Sequence, residues 1–206
     1  MNIVVNRDNR IEYLELIDQS FKLRHESPNF KNGDPQNFKR ESDEFDTIEE
    51  VHYILNTNDF GVVTACLRLY PISLSTISTE EGTQSYPAIP KKFDSQIWKC
   101  DKFVFSVDNL SEKKKKLVTQ GLIDSLCELG LVYKVKKIQF ALAPETIEIF
   151  EESNLEFCRS NLPNAIQENV GWFKPNIITL NQLRNISKFK TSQITVAPLI
   201  YASTSQ

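Results

Sequence analysis

Apolar residues recur at two spacings in the first part of the chain, and each spacing predicts a different element. Residues 3–5 form a short apolar run that predicts a strand. Residues 10–23 carry an apolar side chain every three or four positions, which is the spacing of a helix. Asp8 or Asn9 is expected to cap the start of this helix. Arg24 follows at its end, where a cation suits the helix dipole, and is expected to be a solvated cap.

A two-residue alternation follows and predicts a β-hairpin. Its strands cover residues 51–56 and 62–70, with a turn at residues 58–61 between them. One face of the second strand is wholly apolar and is expected to pack against helices. That face carries Val63, Ala65, Leu67 and Leu69. The opposite face carries Arg68 among mixed side chains and is expected to line a cleft.

The next strong strand signal covers residues 97–106 and contains charged residues within an apolar run. In a regular strand the side chains of Lys99 and Asp101 would point to one face and that of Lys102 to the other. We therefore predict a β-bulge in this strand, a distortion that is frequent beside active sites.

The rest of the chain continues to alternate helices with strands. The expected elements are a helix at residues 112–134 capped by Asp108 or Ser111, a strand at 137–143, a short helix at 144–152, an extended segment at 155–159, a turn at 171–175 and a strand at 176–180. This order fits an α/β domain with a mixed sheet and helices on both faces.

Residues 1–206 are expected to form a single domain, and the chain is long enough to bury a sizeable core. Two polar, turn-rich stretches at residues 25–40 and 71–96 are expected to be long loops. The first of them is a candidate lid over a site. Residues 195–206 are expected to form a loose tail.

Charge and hydropathy exclude two broad classes of protein. The chain has 24 basic and 27 acidic residues, a net charge of −3, which argues against a general nucleic-acid binder. No apolar run approaches the roughly 20 residues of a membrane span. The N-terminus lacks the charged and apolar regions of a signal peptide, so we expect a cytoplasmic protein.

Cysteine and histidine are too sparse for a predicted metal centre. The four cysteines are widely spaced, without a Cys-x-x-Cys pair, and are expected to be reduced structural thiols. Only two histidines occur. Glycine-rich phosphate loops and the nucleophile motifs of hydrolases are absent. We therefore expect no metal and no permanently bound cofactor.

An acidic pair precedes the hairpin, and an arginine lies inside its second strand. A buried guanidinium needs a carboxylate partner, so Asp43 or Asp46 is expected to pair with Arg68. A basic run, Lys113–Lys116, opens the predicted helix at 112–134, where cations oppose the helix dipole. This run is either a solvated face or an attractor for a phosphate or an acidic protein.

Two motifs carry a resemblance to a known family. They are Glu41-Ser-Asp43-Glu-Phe-Asp46 and, about 20 residues on, the run from Gly61 through Arg68-Leu69 to Pro71. On these residues and Arg24 the chain resembles LuxI-type acyl-homoserine-lactone (autoinducer) synthases, from about residue 24 to residue 180. His52 and the run Ala65–Leu69 are also similar to acyltransferases found beside exosortase systems and to long-chain N-acyl amino acid synthases.

The resemblance implies a GNAT-like α/β fold with a mixed, mostly antiparallel sheet. It implies an N-acyltransferase that moves an acyl chain from acyl carrier protein or acyl-CoA to an amine such as S-adenosylmethionine or an amino acid. The resemblance implies Asp43, Asp46 and Arg68 as catalytic residues, and we add Asp101 as a further catalytic candidate. The substrate-binding candidates are Arg24, which the resemblance implies, together with Phe30, Trp98, Lys99, Lys102 and Phe103. Under this function the basic run at the start of the predicted helix is expected to bind the carrier through Lys113, Lys114, Lys115 and Lys116.

The chain departs from the family in the strand at residues 97–106. The family has Glu-x-Ser-Arg-Phe where this chain has Lys99-Cys-Asp101-Lys102-Phe103. A lysine is no base at neutral pH unless its pKa falls by several units. Asp101 is a candidate to replace the family's glutamate. Ordinary alternation along a strand, however, places the side chains of Asp101 and Lys102 on opposite faces of the sheet.

These departures support an alternative hypothesis, a catalytically degenerate relative that binds an acyl ligand or a protein. In that case Lys99 and Lys102 neutralise Asp43 and Asp46 in a purely structural ion network.

Overall fold

The computed structural model describes residues 1–27, 40–72, 94–106, 111–142, 158–159 and 169–175. Several sequence-based predictions lie outside these residues. They concern Phe30, most of the two long loops, the short helix at 144–152, the strand at 176–180 and the tail at 195–206.

The described residues form seven strands and two helices. The strands are β1 (Asn2–Val5), β2 (His52–Thr57), β3 (Val63–Ile72), β4 (Asp94–Phe105), β5 (Lys137–Leu142), β6 (Cys158–Arg159) and β7 (Asn169–Phe173). The helices are α1 (Leu14–Glu26) and α2 (Glu112–Val132), with a single 3-10 turn at Glu44–Thr47.

The seven strands form one sheet in the order β1-β2-β3-β4-β5-β7-β6. β4 and β5 pair in parallel, and the other neighbouring strands pair antiparallel. The mixed sheet predicted by the element order, and the mostly antiparallel pairing implied by the resemblance, are therefore confirmed.

The sheet has an apolar core on each face, which confirms helices on both sides. Ala65, Leu67 and Leu69 of β3 pack with α2 residues such as Leu122. Cys66 and Tyr70 lie on the other face, with Ile17 and Leu23 of α1. Because consecutive residues of a strand point to opposite faces, β3 contributes to both cores and is buried along its whole length.

The start of α1 differs from the sequence-based prediction. The helix begins at Leu14 rather than at residue 10, and its N-cap is Tyr13 rather than Asp8 or Asn9. The Asn6 side chain accepts hydrogen bonds from the backbone N–H groups of Asp8 and Asn9, at 3.0 and 3.3 Å. These local bonds stabilise a turn in competition with a further helical turn. Ile11, an apolar position of the predicted helix, is consequently 85% exposed.

Two further predictions about strands are wrong. Val63 packs in the core on the α1 face with Cys66, because the register of the hairpin shifts between Asn56 and Thr57. Residues 171–173, predicted to be part of a turn, continue β7, which pairs with both β5 and β6. Pairing on both sides outweighs the local preference of Gly171 for a turn.

Gly130 lies where α2 approaches the end of the described chain. A methyl carbon on Gly130 would lie 2.5 Å from Cγ and 2.9 Å from Cβ of Pro175. An alanine in a helix normally stabilises by up to about 1 kcal/mol relative to glycine. Here we expect Gly130→Ala to lower the free energy of unfolding by about 1–3 kcal/mol, because the close contact with Pro175 leaves no room for the added methyl group.

Urea unfolding followed by circular dichroism measures this difference. Gly121→Ala in the same helix is the matched control, because its methyl group would meet only the side-chain amide of Asn2, at 3.0 Å. Equal stability changes for the two variants would contradict the packing argument.

The cysteines with described side chains are buried free thiols. Cys66, Cys100 and Cys127 form no disulfide and have no exposed surface. Burial raises the pKa of the Cys66 thiol to about 11 and that of Cys100 well above its usual value.

Two features relevant to function are not found among the described residues. They contain no group of three or more His, Cys, Asp or Glu side chains placed to hold a metal ion. Neither α1 nor α2 is long and apolar enough to cross a membrane.

Candidate functional site

Arg68 is the centre of a buried ion network on the α1 face of the sheet. Its guanidinium is 1% exposed and lies opposite Asp101 in the β3–β4 ladder. Nε and Nη2 of Arg68 donate to the two carboxylate oxygens of Asp101, at 2.9 and 3.0 Å. This two-point geometry is the strongest that an arginine and a carboxylate form.

The two aspartates of the acidic motif are held by a reciprocal capping box at the 3-10 turn. The Asp43 carboxylate accepts from the backbone N–H of Phe45 at 3.0 Å, and the Asp46 carboxylate accepts from the N–H of Asp43 at 3.0 Å. The box fixes both carboxylates on the same side of the turn. This explains why the aspartates are three residues apart.

Both carboxylates bind Arg68, which confirms the expected pairing. Nη1 of Arg68 contacts Asp43 and also lies 3.0 Å from Asp46, while Nη2 donates to Asp43 at 3.0 Å. The guanidinium therefore joins three carboxylates, two from the capping box and one from β4. A buried cation shared in this way is compensated rather than isolated.

Arg24 is fully buried, so the prediction of a solvated helix cap is wrong. Its Nη1 donates to both oxygens of Asp46, at 3.0 and 3.1 Å. The guanidinium packs over the ring of Phe21, 5.0 Å from its centroid. The last turn of α1 faces the sheet, and the negative charge of Asp46 holds the arginine there. Its Nε and Nη2 are buried and have no hydrogen-bond partner among the described residues.

A β-bulge in β4 brings Asp101 and Lys102 to the same cluster. Cys66 pairs with Val104 and Arg68 pairs with Asp101, so two steps along β3 match three along β4. Lys102 takes a left-handed conformation at this point, with φ of 54°. The predicted bulge is confirmed. The expectation that Asp101 and Lys102 lie on opposite faces is wrong, because the extra residue breaks the alternation.

Lys102 completes what we call the charged cluster: Arg24, Glu41, Asp43, Asp46, Arg68, Asp101 and Lys102. Its ammonium group contacts Glu41 and lies 3.4 Å from Asp43. Four carboxylates against three cations give a formal charge of −1. The arginines and Asp46 are buried, whereas Asp43 is 25% exposed and Glu41 20% exposed. The accessible side of the cluster therefore presents carboxylates.

The ion pairs fix the protonation of the cluster. Burial alone would raise the pKa of Asp43, but the hydrogen bond and charge of Arg68 lower it below its usual value. Burial and the neighbouring Asp101 raise the pKa of the Tyr70 hydroxyl. Tyr70 thus stays protonated and donates to Asp101 at 3.1 Å. Asp43 remains an anion throughout the neutral range.

Other residues implied by the resemblance lie elsewhere. Trp98 and Phe103 belong to the core on the α2 face, away from the charged cluster. Lys99 lies two residues before Asp101 in β4, so its side chain is on the same α1 face of the sheet, and it is half-buried. Lys113–Lys116 lie in the first turns of α2, where Lys115 pairs with Glu112 at 2.8 Å.

Glu41, Tyr53 and Tyr70 also belong to this region, although sequence patterns did not single them out as site residues. Tyr53 lies opposite Arg68 in the β2–β3 ladder and donates to Asp46 at 2.8 Å. Tyr70 shares the face of Arg68 by simple alternation. The two-residue alternation of strand side chains is therefore the sequence signal that could have identified both tyrosines as site residues. Glu41 was visible only as the first residue of the acidic motif.

β4 and β5 separate beside the charged cluster. Their parallel pairing covers Ile97–Cys100 and Lys137–Phe140, yet β4 runs on to Phe105. Beyond Cys100, β4 continues to pair with β3 on its other side. Asp101 is therefore the first residue of β4 past the point at which its pairing with β5 ends.

A cavity of about 430 Å³ lies at the other end of β4, on the α2 face. His52, Trp98 and Tyr133 form one wall, with ring centroids 4.8–5.2 Å apart. Nδ1 of His52 lies 2.8 Å from the carbonyl oxygen of Glu50. Burial lowers the pKa of His52 to about 4, so the ring is neutral and Nδ1 donates to this oxygen.

The depressed pKa of His52 predicts a pH-dependent stability. An unfolded histidine takes up its proton near pH 6.5, whereas the folded one does so near pH 4. Stability from this group is complete above pH 6.5 and falls as the pH drops to 4, by about 3 kcal/mol in total. Urea unfolding of His52→Phe between pH 4 and 7 should lack this decrease. His25→Gln, which alters an exposed histidine, should retain it. A His52→Phe curve parallel to the parent curve would contradict the assignment.

The sequence matches no model of a known protein family and no curated protein. Solved structures nevertheless share its fold. A CoA-dependent acyl-homoserine lactone synthase, BjaI, solved with SAM and isopentyl-CoA, is 20% identical with a TM-score of 0.72, covering 93% of this chain and 90% of that one. The corresponding synthase MesI is 14% identical with a TM-score of 0.67, covering 96% and 97%.

An acyl-CoA N-acyltransferase from Pseudomonas aeruginosa is more distant, with 11% identity and a TM-score of 0.54 over 84% of this chain and 98% of that one. At such identities the likeness concerns the fold. The chain has the fold of acyl-homoserine lactone synthases and N-acyltransferases, which confirms the expected GNAT-like architecture.

Proposed function

We propose that this protein is an N-acyltransferase that moves an acyl chain from a thioester to the amine of a small acceptor. The observation that carries the proposal is the charged cluster, net negative and partly exposed, beside the point where β4 and β5 separate. The solved acyl-homoserine lactone synthases with the same fold support it, because one of them was determined with SAM and isopentyl-CoA.

The acceptor amine binds at the exposed edge of the cluster. Asp43 and Glu41 present carboxylate surface to solvent and attract an ammonium group. Lys99 lies half-buried on the same sheet face, where its ammonium group can bind the acceptor's carboxylate. Arg24 has no exposed surface, so it acts by positioning Asp46 rather than by touching the acceptor.

The acyl donor binds where β4 leaves β5. Two strands whose pairing ends leave a gap between them that accommodates an extended, amide-containing chain such as the pantetheine arm. A backbone N–H in this position also stabilises the oxyanion that forms at the thioester carbonyl. Lys113–Lys116 attract the phosphates of coenzyme A or the acidic surface of an acyl carrier protein.

The reaction requires only limited general acid–base assistance with proton transfer. The bound ammonium group first loses a proton to solvent. The neutral amine then attacks the thioester carbon, a C–N bond forms, the C–S bond breaks, and the thiolate leaves and takes up a proton. Asp43 stays ionised and orients the amine, and a water molecule held by the exposed carboxylates takes the proton that the amine loses. With S-adenosylmethionine as acceptor the product would be a precursor of an acyl-homoserine lactone.

The position of Lys102 supports a second candidate, a degenerate relative that binds an acyl ligand or a protein without turnover. Lys102 already neutralises Glu41 and contacts Asp43, the two carboxylates with the most exposed surface in the cluster. An internal ammonium at this position competes with that of an acceptor.

Release of free thiol separates the two candidates. The purified protein is incubated with acyl-CoA or acyl carrier protein and a panel of amines, with and without S-adenosylmethionine. Thiol release and a product mass equal to acyl plus amine support the enzyme. If no pair of donor and amine gives thiol above background, and Asp46→Asn changes only stability, the enzyme proposal fails.

A further inference from the structure

The cavity beside His52 is separate from the charged cluster. His52 and Tyr53 are consecutive in β2 and therefore point to opposite faces of the sheet. Tyr53 donates to Asp46 in the cluster, whereas His52 packs against Trp98 and Tyr133 on the α2 face. The proposed acyl transfer thus leaves this cavity without a role.

The wall of the cavity contains a hydrogen-bond acceptor without a partner among the described residues. His52 is 6% exposed, and its Nε2 is buried and accepts no hydrogen bond from them. Since Nδ1 donates to the carbonyl of Glu50, the lone pair of the neutral ring lies on Nε2. A buried acceptor left without a donor costs about 1–3 kcal/mol. Nε2 has no accessible surface, so a ligand removes this cost only if it displaces one of the rings packed against His52 and donates an N–H group to Nε2.

The surroundings of His52 favour a cation. Tyr133 contributes a 40% exposed aromatic ring to the wall, and Trp98, which is 4% exposed, packs against it. The faces of such rings attract organic cations. The rim adds three carboxylates, those of Asp8, Glu49 and Glu50, and one guanidinium, that of Arg7, which gives a net charge of −2. Its volume of about 430 Å³ suits a small molecule.

We propose that this cavity binds a small organic cation that carries an N–H group, such as a primary ammonium or a guanidinium. The aromatic wall and the acidic rim bind the charge. Nε2 of His52 accepts the hydrogen bond and so distinguishes an N–H cation from a quaternary one. The proposal does not depend on acyl transfer, because it concerns the opposite face of the sheet.

Three probes of similar size separate charge from hydrogen bonding. Benzylamine carries a charge and N–H groups, benzyltrimethylammonium carries only the charge, and benzyl alcohol is neutral. Isothermal titration calorimetry with the full chain at pH 7.5 should show benzylamine binding about tenfold more tightly than either of the others, which corresponds to one satisfied hydrogen bond. Equal affinity for benzylamine and benzyl alcohol would overturn the proposal, as would the absence of saturable benzylamine binding.

Variants locate the binding. His52→Phe keeps an aromatic ring and removes the acceptor, so it should lose the preference for benzylamine and retain the affinity for benzyltrimethylammonium. Tyr133→Ala, at a partly exposed position, should weaken both cations about tenfold. Glu112→Gln removes an exposed carboxylate at the opposite end of α2 and should change neither. Undiminished benzylamine binding by both His52→Phe and Tyr133→Ala would place the probe elsewhere and overturn the proposal.

Discussion

Replacing Arg68 by methionine is expected to lower the free energy of unfolding by about 3–5 kcal/mol, because it leaves carboxylates without their buried counter-charge. Arg68 contacts Asp43, Asp46 and Asp101. Methionine matches much of the volume and the apolar contacts of the arginine stem, so the loss reports mainly on charge. Urea unfolding at pH 7 measures it, and an unchanged m value shows that the unfolded state is the same.

A matched control exists on the surface. Arg40 pairs with Asp18 at 2.7 Å, but about half of its side chain is exposed. Arg40→Met should change stability little, since water already solvates both charges. If Arg68→Met and Arg40→Met are equally stable, the ion network around Arg68 does not stabilise the fold.

Replacing Asp43 by asparagine is expected to reduce kcat/KM for thiol release about 100-fold, provided that the protein is the proposed acyltransferase. A hydrogen bond to a charged group contributes about 1.5–3 kcal/mol, and each 1.36 kcal/mol in the barrier is tenfold in rate. The amide oxygen of the new side chain would still accept from the N–H of Phe45, and Asp46 and Asp101 would still bind Arg68. The fold should therefore persist, as circular dichroism would show.

The corresponding control is Asp18→Asn, which removes a carboxylate that binds Lys22 and Arg40 on the surface. It should leave thiol release unchanged. Activity of Asp43→Asn within threefold of the parent would show that this carboxylate does not bind the acceptor. The binding role proposed for the exposed edge of the cluster would then fail, even if thiol release by the parent protein stood.

Local sequence patterns predicted the sheet, both helices and the pairing of Arg68 because each depends on short-range periodicity or on a charge that needs a partner. The alternation in β3 assigned Leu67 and Leu69 to one face and Arg68 to the other, as the structure has them. The acidic motif predicted carboxylates for Arg68, and the capping box explains their spacing.

The same local patterns do not predict contacts between residues that are far apart in the sequence. Arg24 was interpreted as a solvated cap because a helix end alone does not reveal that its last turn faces the sheet. Charges on both parities predicted the bulge, but its consequence, that Asp101 and Lys102 reach one cluster, depends on register with β3. The aromatic wall joins β2, β4 and the end of α2, which are far apart in sequence.

The buried thiols allow the opening of the helix layer on each face of the sheet to be measured. Cys66 lies under α1, and Cys127 lies in α2 on the opposite face. A thiol reagent reaches each of them only when its own layer opens, so the labelling rate of each cysteine measures how often that layer departs from the sheet. If α1 detaches to admit substrate while α2 stays in place, Cys66 will be modified long before Cys127.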